Sequence, residues 1–144
     1  MNDDHYRVLG ADYGSVRIGL ALSDPMRIIA KGYRTISNND HAVAEISNIV
    51  LEENVKLIVV GMPFDLKGEI GSKGAEVEHF IDKLRRSVNI EITKYDERFT
   101  SVMAEKSLHE MGLTKKQRRN KGTIDEIASA ILLQSYLDAQ KSGR

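Results

Sequence analysis

The chain contains no cysteine. That excludes a disulfide framework and any zinc–thiolate site. Its four histidines (His5, His41, His79 and His109) show no ligand-pair spacing such as His-x-x-x-His and read as surface residues. No apolar stretch approaches the length of a membrane span. The N-terminus lacks the charged-then-apolar pattern of an export leader. No long Pro/Ser linker and no sharp break in composition divides the 144 residues. The expectation is one soluble, cytoplasmic domain covering residues 1–144, with no membrane contact.

Net charge is also lacking, with 21 basic residues against 21 acidic. The distribution is uneven. Lys115, Lys116, Arg118, Arg119 and Lys121 fall between Leu113 and Gly122 with no acid among them, so 16 basic residues face 21 acids elsewhere. A local block of positive charge suits contact with a phosphate backbone. A solvated basic loop is the plainer alternative.

Hydrophobic residues make up 41% of the chain, enough for a core. Residues 6–13, Ile18–Ser23 and Ile28–Thr35 read as three strands joined by short links, hence an antiparallel meander. Asn38, Asn39 and Asp40 offer caps for a helix with Val43, Ile46, Ile49 and Val50 on one face. Lys56–Gly61 is apolar enough to be a strand covered on both faces. A loop punctuated by Gly68, Gly71 and Gly74 follows, with Ser72 as a cap. Beyond it Val77, Phe80, Ile81, Leu84 and Val88 form a helical apolar stripe. Ile90–Tyr95 is the fifth strand. Thr100 or Ser101 then caps a short helix with Ala104, Leu108 and Met111 inward, ended by Gly112. Thr123 and Glu126 fit a capping box for a last helix whose buried face is Ile124, Ile127, Ala128, Ile131 and Leu132. The strand–helix–strand crossovers require parallel pairs among strands one, four and five. An α/β fold results, one mixed sheet with helices on both faces.

Three acids lie far apart in sequence but at strand ends or a helix start, where folds gather side chains: Asp12, Glu97 and Asp125. Carboxylates supply the charge and oxygen ligands that Mg²⁺ or Mn²⁺ require, a chemistry suited to phosphodiester hydrolysis. Each also has a structural reading. Asp12 is flanked by turn-forming glycines. Asp125 in a first helical turn is stabilised by the helix dipole. Asp96 and Glu97 point to opposite faces while the strand lasts, and Arg98 beside them is a ready ion-pair partner. Periodicity does not choose between those two acids.

Four segments, in order, carry a resemblance. They are Gly10-Ala11-Asp12-Tyr13-Gly14-Ser15-Val16-Arg17-Ile18-Gly19-Leu20-Ala21-Leu22-Ser23-Asp24, Val59-Val60-Gly61-Met62-Pro63, Asp96-Glu97-Arg98-Phe99-Thr100-Ser101 and Asp125-Glu126-Ile127-Ala128-Ser129-Ala130. From about Arg7 to Leu137 the chain resembles the YqgF (RuvX-type) nuclease family, whose members carry names as pre-ribosomal-RNA nucleases or Holliday junction resolvases. The resemblance implies an RNase H-like fold with a five-stranded sheet ordered 3-2-1-4-5. It implies a nuclease using Mg²⁺ or Mn²⁺, with Asp12, Glu97 and Asp125 as catalytic, metal-binding acids. Ser129 stands where many relatives have a small apolar residue.

On that reading Arg17 and Arg98 hold phosphate, and Lys115, Lys116, Arg118, Arg119 and Lys121 follow the nucleic-acid backbone. Structured RNA, especially the 5′ end of a 16S ribosomal RNA precursor, is the first-choice substrate. A four-way DNA junction is second, because symmetric resolution requires a dimer and no sequence stripe announces one. The expected state is a monomer or weak homodimer. A non-catalytic nucleic-acid-binding module is another class of function. A third is an ATPase fragment, since Asp12-Tyr13-Gly14 and Ile18-Gly19-Leu20-Ala21 also resemble the phosphate loop of actin-like ATPases and sugar kinases. Those proteins clamp nucleotide between two such domains, and this length allows one.

Overall fold

A computed structural model describes residues 4–64, 67–100 and 120–142. Its strands are β1 (Arg7–Tyr13), β2 (Arg17–Ser23), β3 (Ala30–Ser37), β4 (Val55–Met62) and β5 (Glu91–Asp96). Its helices are α1 (Ala42–Glu52), α2 (Ser72–Ser87) and α3 (Lys121–Lys141), and a 3₁₀ turn covers Glu97–Phe99. The sheet order is β3-β2-β1-β4-β5. The meander pairs antiparallel, whereas β1 with β4 and β4 with β5 are parallel. The short helix expected after Thr100 lies outside the described residues, as do Lys115, Lys116, Arg118 and Arg119.

Strand alternation sends successive side chains to opposite faces. Leu9, Ala11, Ile58 and Val60 meet Ile46, Ile49, Val77, Ile81 and Leu84 of α1 and α2. Val8, Ala21 and Val59 meet Leu133 and Leu137 of α3 on the other face. Each fully buried Leu or Ile stabilises the fold by about 1.5–3 kcal/mol. The stripe of α2 matches its sequence pattern. In α1, Val43 is only half-buried and Ala42 joins the core.

The buried face of α3 differs from expectation. Ser129, Leu132, Leu133 and Leu137 are buried, while Ile124, Ile127, Ala128 and Ile131 are half-buried. The strands beneath explain the difference. A Cβ added to Gly10 would lie 2.9 Å from the Leu133 Cβ, one on Gly32 would lie 3.1 Å from the Glu126 Cβ, and one on Gly19 would collide with the Asp125 backbone. One glycine in each of β1, β2 and β3 therefore lets the helix sink onto the sheet along Asp125, Ser129 and Leu133. The Ser129 hydroxyl donates to the Glu126 carbonyl at 2.8 Å, so it sits buried without an unmet donor.

The helix starts also differ. Asn120 caps α3, its side chain accepting from the Thr123 backbone at 3.2 Å, so Thr123 is not the cap and Asp125 lies beyond the first turn. Asn120 reaches the same orphan amides first, from inside the basic run. Gly71, not Ser72, occupies the cap position of α2. At α1 His41 occupies it, and Asn39 accepts from the His41 amide at 2.9 Å. Among the described residues, no helix is long and apolar enough to cross a membrane.

Candidate active site

Asp12 is next to last in β1 and pairs across the sheet with Gly19 of β2. Alternation puts it on the face shared with Gly10, the face that α3 covers. Gly19 carries Asp125 of α3 in direct contact. Two acids more than a hundred residues apart are thus brought to one end of the sheet, near enough for the Asp125 charge to act on Asp12, because β2 has no side chain at that point.

The third acid arrives from β5. Glu97 begins the 3₁₀ turn, and its carbonyl accepts from the Thr100 amide at 3.0 Å and the Thr100 hydroxyl at 3.1 Å. Its side chain lies over Gly61 of β4, where an added Cβ would be 2.5 Å from Oε1 and 2.8 Å from Cγ. From there its carboxyl group hydrogen-bonds to that of Asp12.

The neighbouring acids Asp96 and Glu97 have opposite surroundings. The Asp96 carboxylate accepts from the Arg98 amide at 2.9 Å, Nε at 2.9 Å and Nη2 at 2.6 Å. These bonds from Arg98 hold Asp96 below its ordinary range. Burial, then the hydrogen bond to Asp12 and its charge, push Glu97 up to about 8. Burial also raises Asp12, with the Asp125 charge adding to it, against the lowering effects of Glu97 and Lys73. The pair therefore keeps a proton near neutral pH, which is what two carboxyls in one poorly solvated place must do.

Asp125 is not joined to them in the same way. Its Oδ2 accepts from Arg17 Nε at 2.8 Å. Among the described residues no three acids, histidines or cysteines are gathered as a ready metal site. Arg98 is bound to Asp96, and its guanidinium also stacks 5.5 Å over the Phe64 ring. Lys121 is the first residue of α3. The sequence pattern did not single out Lys73. This exposed lysine in the first turn of α2 is a positive charge felt by both Asp12 and Glu97. Gly74 beside it packs on Ile70, and a Cβ added there would lie 3.7 Å from the Met62 sulfur at the end of β4, so the helix start is brought close to the acids. The glycine loop before it was the available signal.

The family model described as "RuvX: Holliday junction resolvase" matches residues 6–139. A Bacteroides fragilis protein named "Putative pre-16S rRNA nuclease" is 38% identical over 136 residues, covering 94% of this chain and 98% of its own. One of the same name from Acetivibrio thermocellus is 41% identical over 138 residues, covering 93% and 96%. Among solved structures, T. thermophilus RuvC in complex with a Holliday junction substrate aligns with a TM-score of 0.59 at 16% identity, over 96% of this chain and 97% of that one. The fowlpox virus resolvase with Holliday junction DNA gives 0.58 at 12%, over 93% and 98%. These likenesses establish the RNase H-like fold. With the sheet order and the nearly full-length match, the chain belongs to the RuvX family.

Proposed function

We propose that this protein is a single-domain, cytoplasmic nuclease that hydrolyses phosphodiester bonds with a divalent cation, and that its substrate is the 5′ end of precursor 16S ribosomal RNA. The observation that carries the reading is the carboxyl–carboxyl hydrogen bond between Asp12 and Glu97, with Glu97 seated over Gly61. Two carboxyls that hold a proton for want of other charge are suited to exchange it for a dication. The donor set is all oxygen, which fits Mg²⁺ or Mn²⁺. Asp12 and Glu97 would hold the cation, and Asp125 would complete the set.

Bound there, a divalent cation supplies Lewis acidity to the phosphate and activates water at neutral pH. The residues do the rest. Glu97 surrenders its proton as the site loads. Lys73 offsets the remaining negative charge as phosphate approaches. Arg98, steadied by Asp96, and Arg17 face phosphate oxygens, and Lys115, Lys116, Arg118, Arg119 and Lys121 bind the backbone without reading sequence. Water adds to phosphorus, one P–O ester bond breaks, and a phosphate monoester and a hydroxyl leave.

RNA is favoured because both named relatives at 38–41% identity carry that activity in their names. The family model's description favours a second reading, resolution of a four-way DNA junction. The test is cleavage of labelled precursor RNA and of a four-way junction, side by side, with Mg²⁺ or Mn²⁺ and with Asp12→Asn as control. RNA cut only by wild type with metal supports the proposal. Paired nicks in the junction alone would replace it with the resolvase. Binding without cleavage of either would leave a non-catalytic module.

A further inference from the structure

Arg17 and Asp125 are both anchored through their backbones. The Arg17 carbonyl accepts from the Gly14 amide at 2.9 Å, and a Cβ on Gly14 would lie 2.6 Å from that oxygen. Asn38 ties the same turn twice, its amide to the Val16 carbonyl at 2.9 Å and its side chain to the Gly14 carbonyl at 2.8 Å. Asp125 is fixed by its seat on Gly19. The two anchored segments are joined here through their side chains. The pair they form is 2.8 Å long, with the side chains 36% and 26% exposed. It is open enough to break and sheltered enough to matter.

We propose that Arg17 is a positioning residue that holds Asp125 away from the cation until a nucleic-acid phosphate takes the place of the carboxylate on its guanidinium. This rests on the functional reading above, in which Asp12, Glu97 and Asp125 are the cation's ligands. A guanidinium fork fits a carboxylate and a phosphate in the same way, so one can replace the other. While Arg17 neutralises Asp125, the cation has two carboxylates to draw on. Once phosphate occupies Arg17, Asp125 becomes the third. Cation and nucleic acid then favour each other's binding, and the coupling is reciprocal.

Two double-mutant cycles over Arg17→Gln and Asp125→Asn test this, with folding of every variant checked by thermal denaturation. The first measures binding of Mn²⁺ alone. Arg17→Gln should tighten it about three- to tenfold, the range for one partly sheltered ion pair. The gain should largely disappear when Asp125→Asn is already present. The second uses a labelled structured RNA or four-way junction, whichever binds more tightly, in EDTA so that nothing is cut. Asp125→Asn should tighten binding by a similar factor, and should do so far less when combined with Arg17→Gln. Arg17→Lys keeps the charge without the fork and should weaken the coupling in both cycles. Equal gains with and without the second substitution would mean plain charge removal and overturn the proposal. Mn²⁺ binding that Asp12→Asn leaves unchanged, or no binding of either nucleic acid, would instead remove the functional reading beneath it.

Discussion

Glu97 rests on Gly61, and the space for its carboxyl group exists because β4 has no side chain there: a Cβ on Gly61 would lie 2.5 Å from Oε1. Gly61→Ala should therefore displace Glu97 while leaving the sheet in place. Cleavage should fall by roughly a hundredfold or more, since loss of one well-placed electrostatic group typically costs that much. The melting temperature should drop only modestly. Paired kinetic and calorimetric measurements separate the two, and an unchanged rate would remove Glu97 from the site.

The Asp12–Glu97 pair makes metal-free stability depend on pH. The folded state raises Glu97 from 4.5 to about 8. The protonated carboxyl is thus favoured by folding. Its contribution is fully present below 4.5 and is lost as pH rises through about 8. In EDTA the wild type should lose melting temperature between about pH 5 and pH 8.5, relative to Glu97→Gln, which has no proton to lose. Divalent cation should flatten the wild-type curve by replacing that proton. Parallel curves for the two proteins in EDTA would contradict the shared-proton arrangement.

Lys73 lowers both carboxyls of the pair. Lys73→Gln should move the Glu97 titration, followed by carboxyl ¹³C shifts, to higher pH. Lys73 is exposed, so the difference from wild type should shrink as salt is added. A salt-independent difference would point to a change of structure.

Gly19 is where β2 and α3 touch. Gly19→Ala should lift the helix, costing about 1–3 kcal/mol as overpacking does. It should also move Asp125 away from Asp12. Unlike Gly61→Ala, this variant should lose melting temperature and cleavage together.

Replacing Lys115, Lys116, Arg118 and Arg119 by Gln should weaken nucleic-acid binding without altering Mn²⁺ binding. The slope of log affinity against log salt should become shallower by roughly 0.7–0.9 for each phosphate that the protein ceases to neutralise. An unchanged slope would exclude this segment from the interface.

Much of the framework is legible in the sequence because it is written locally. Leu57, Ile58, Val59 and Val60 are an unbroken apolar run, and Ile58, Val59, Val60 and Gly61 become the buried centre of β4; Val77, Phe80, Ile81 and Leu84 repeat at helical spacing and become the buried side of α2. Short links forced the meander, and crossovers forced the parallel pairs. Local pattern was a poorer guide where two residues competed for one role. Asn120 and Thr123 are both good caps, and the one placed to accept the Thr123 amide took the position. In α3 the sequence pattern chose Ile124, Ile127, Ala128, Ile131 and Leu132 as the buried face, and of these only Leu132 is buried; the close approach at Gly10, Gly19 and Gly32 of β1, β2 and β3 turned Ser129, Leu133 and Leu137 inward instead.

The acids divide in the same way. Sequence alone brought Asp12, Glu97 and Asp125 forward as candidates: position along the chain pointed to Asp12, to the neighbours Asp96 and Glu97 and to Asp125, and the resemblance chose Glu97 of the two neighbours. Tertiary structure alone decided that Glu97 turns to Asp12 while Asp96 turns to Arg98, and that Asp125 is held by Arg17. Those outcomes depend on strand register and on close approach at Gly19 and Gly61, and so on distances between segments that no local pattern encodes.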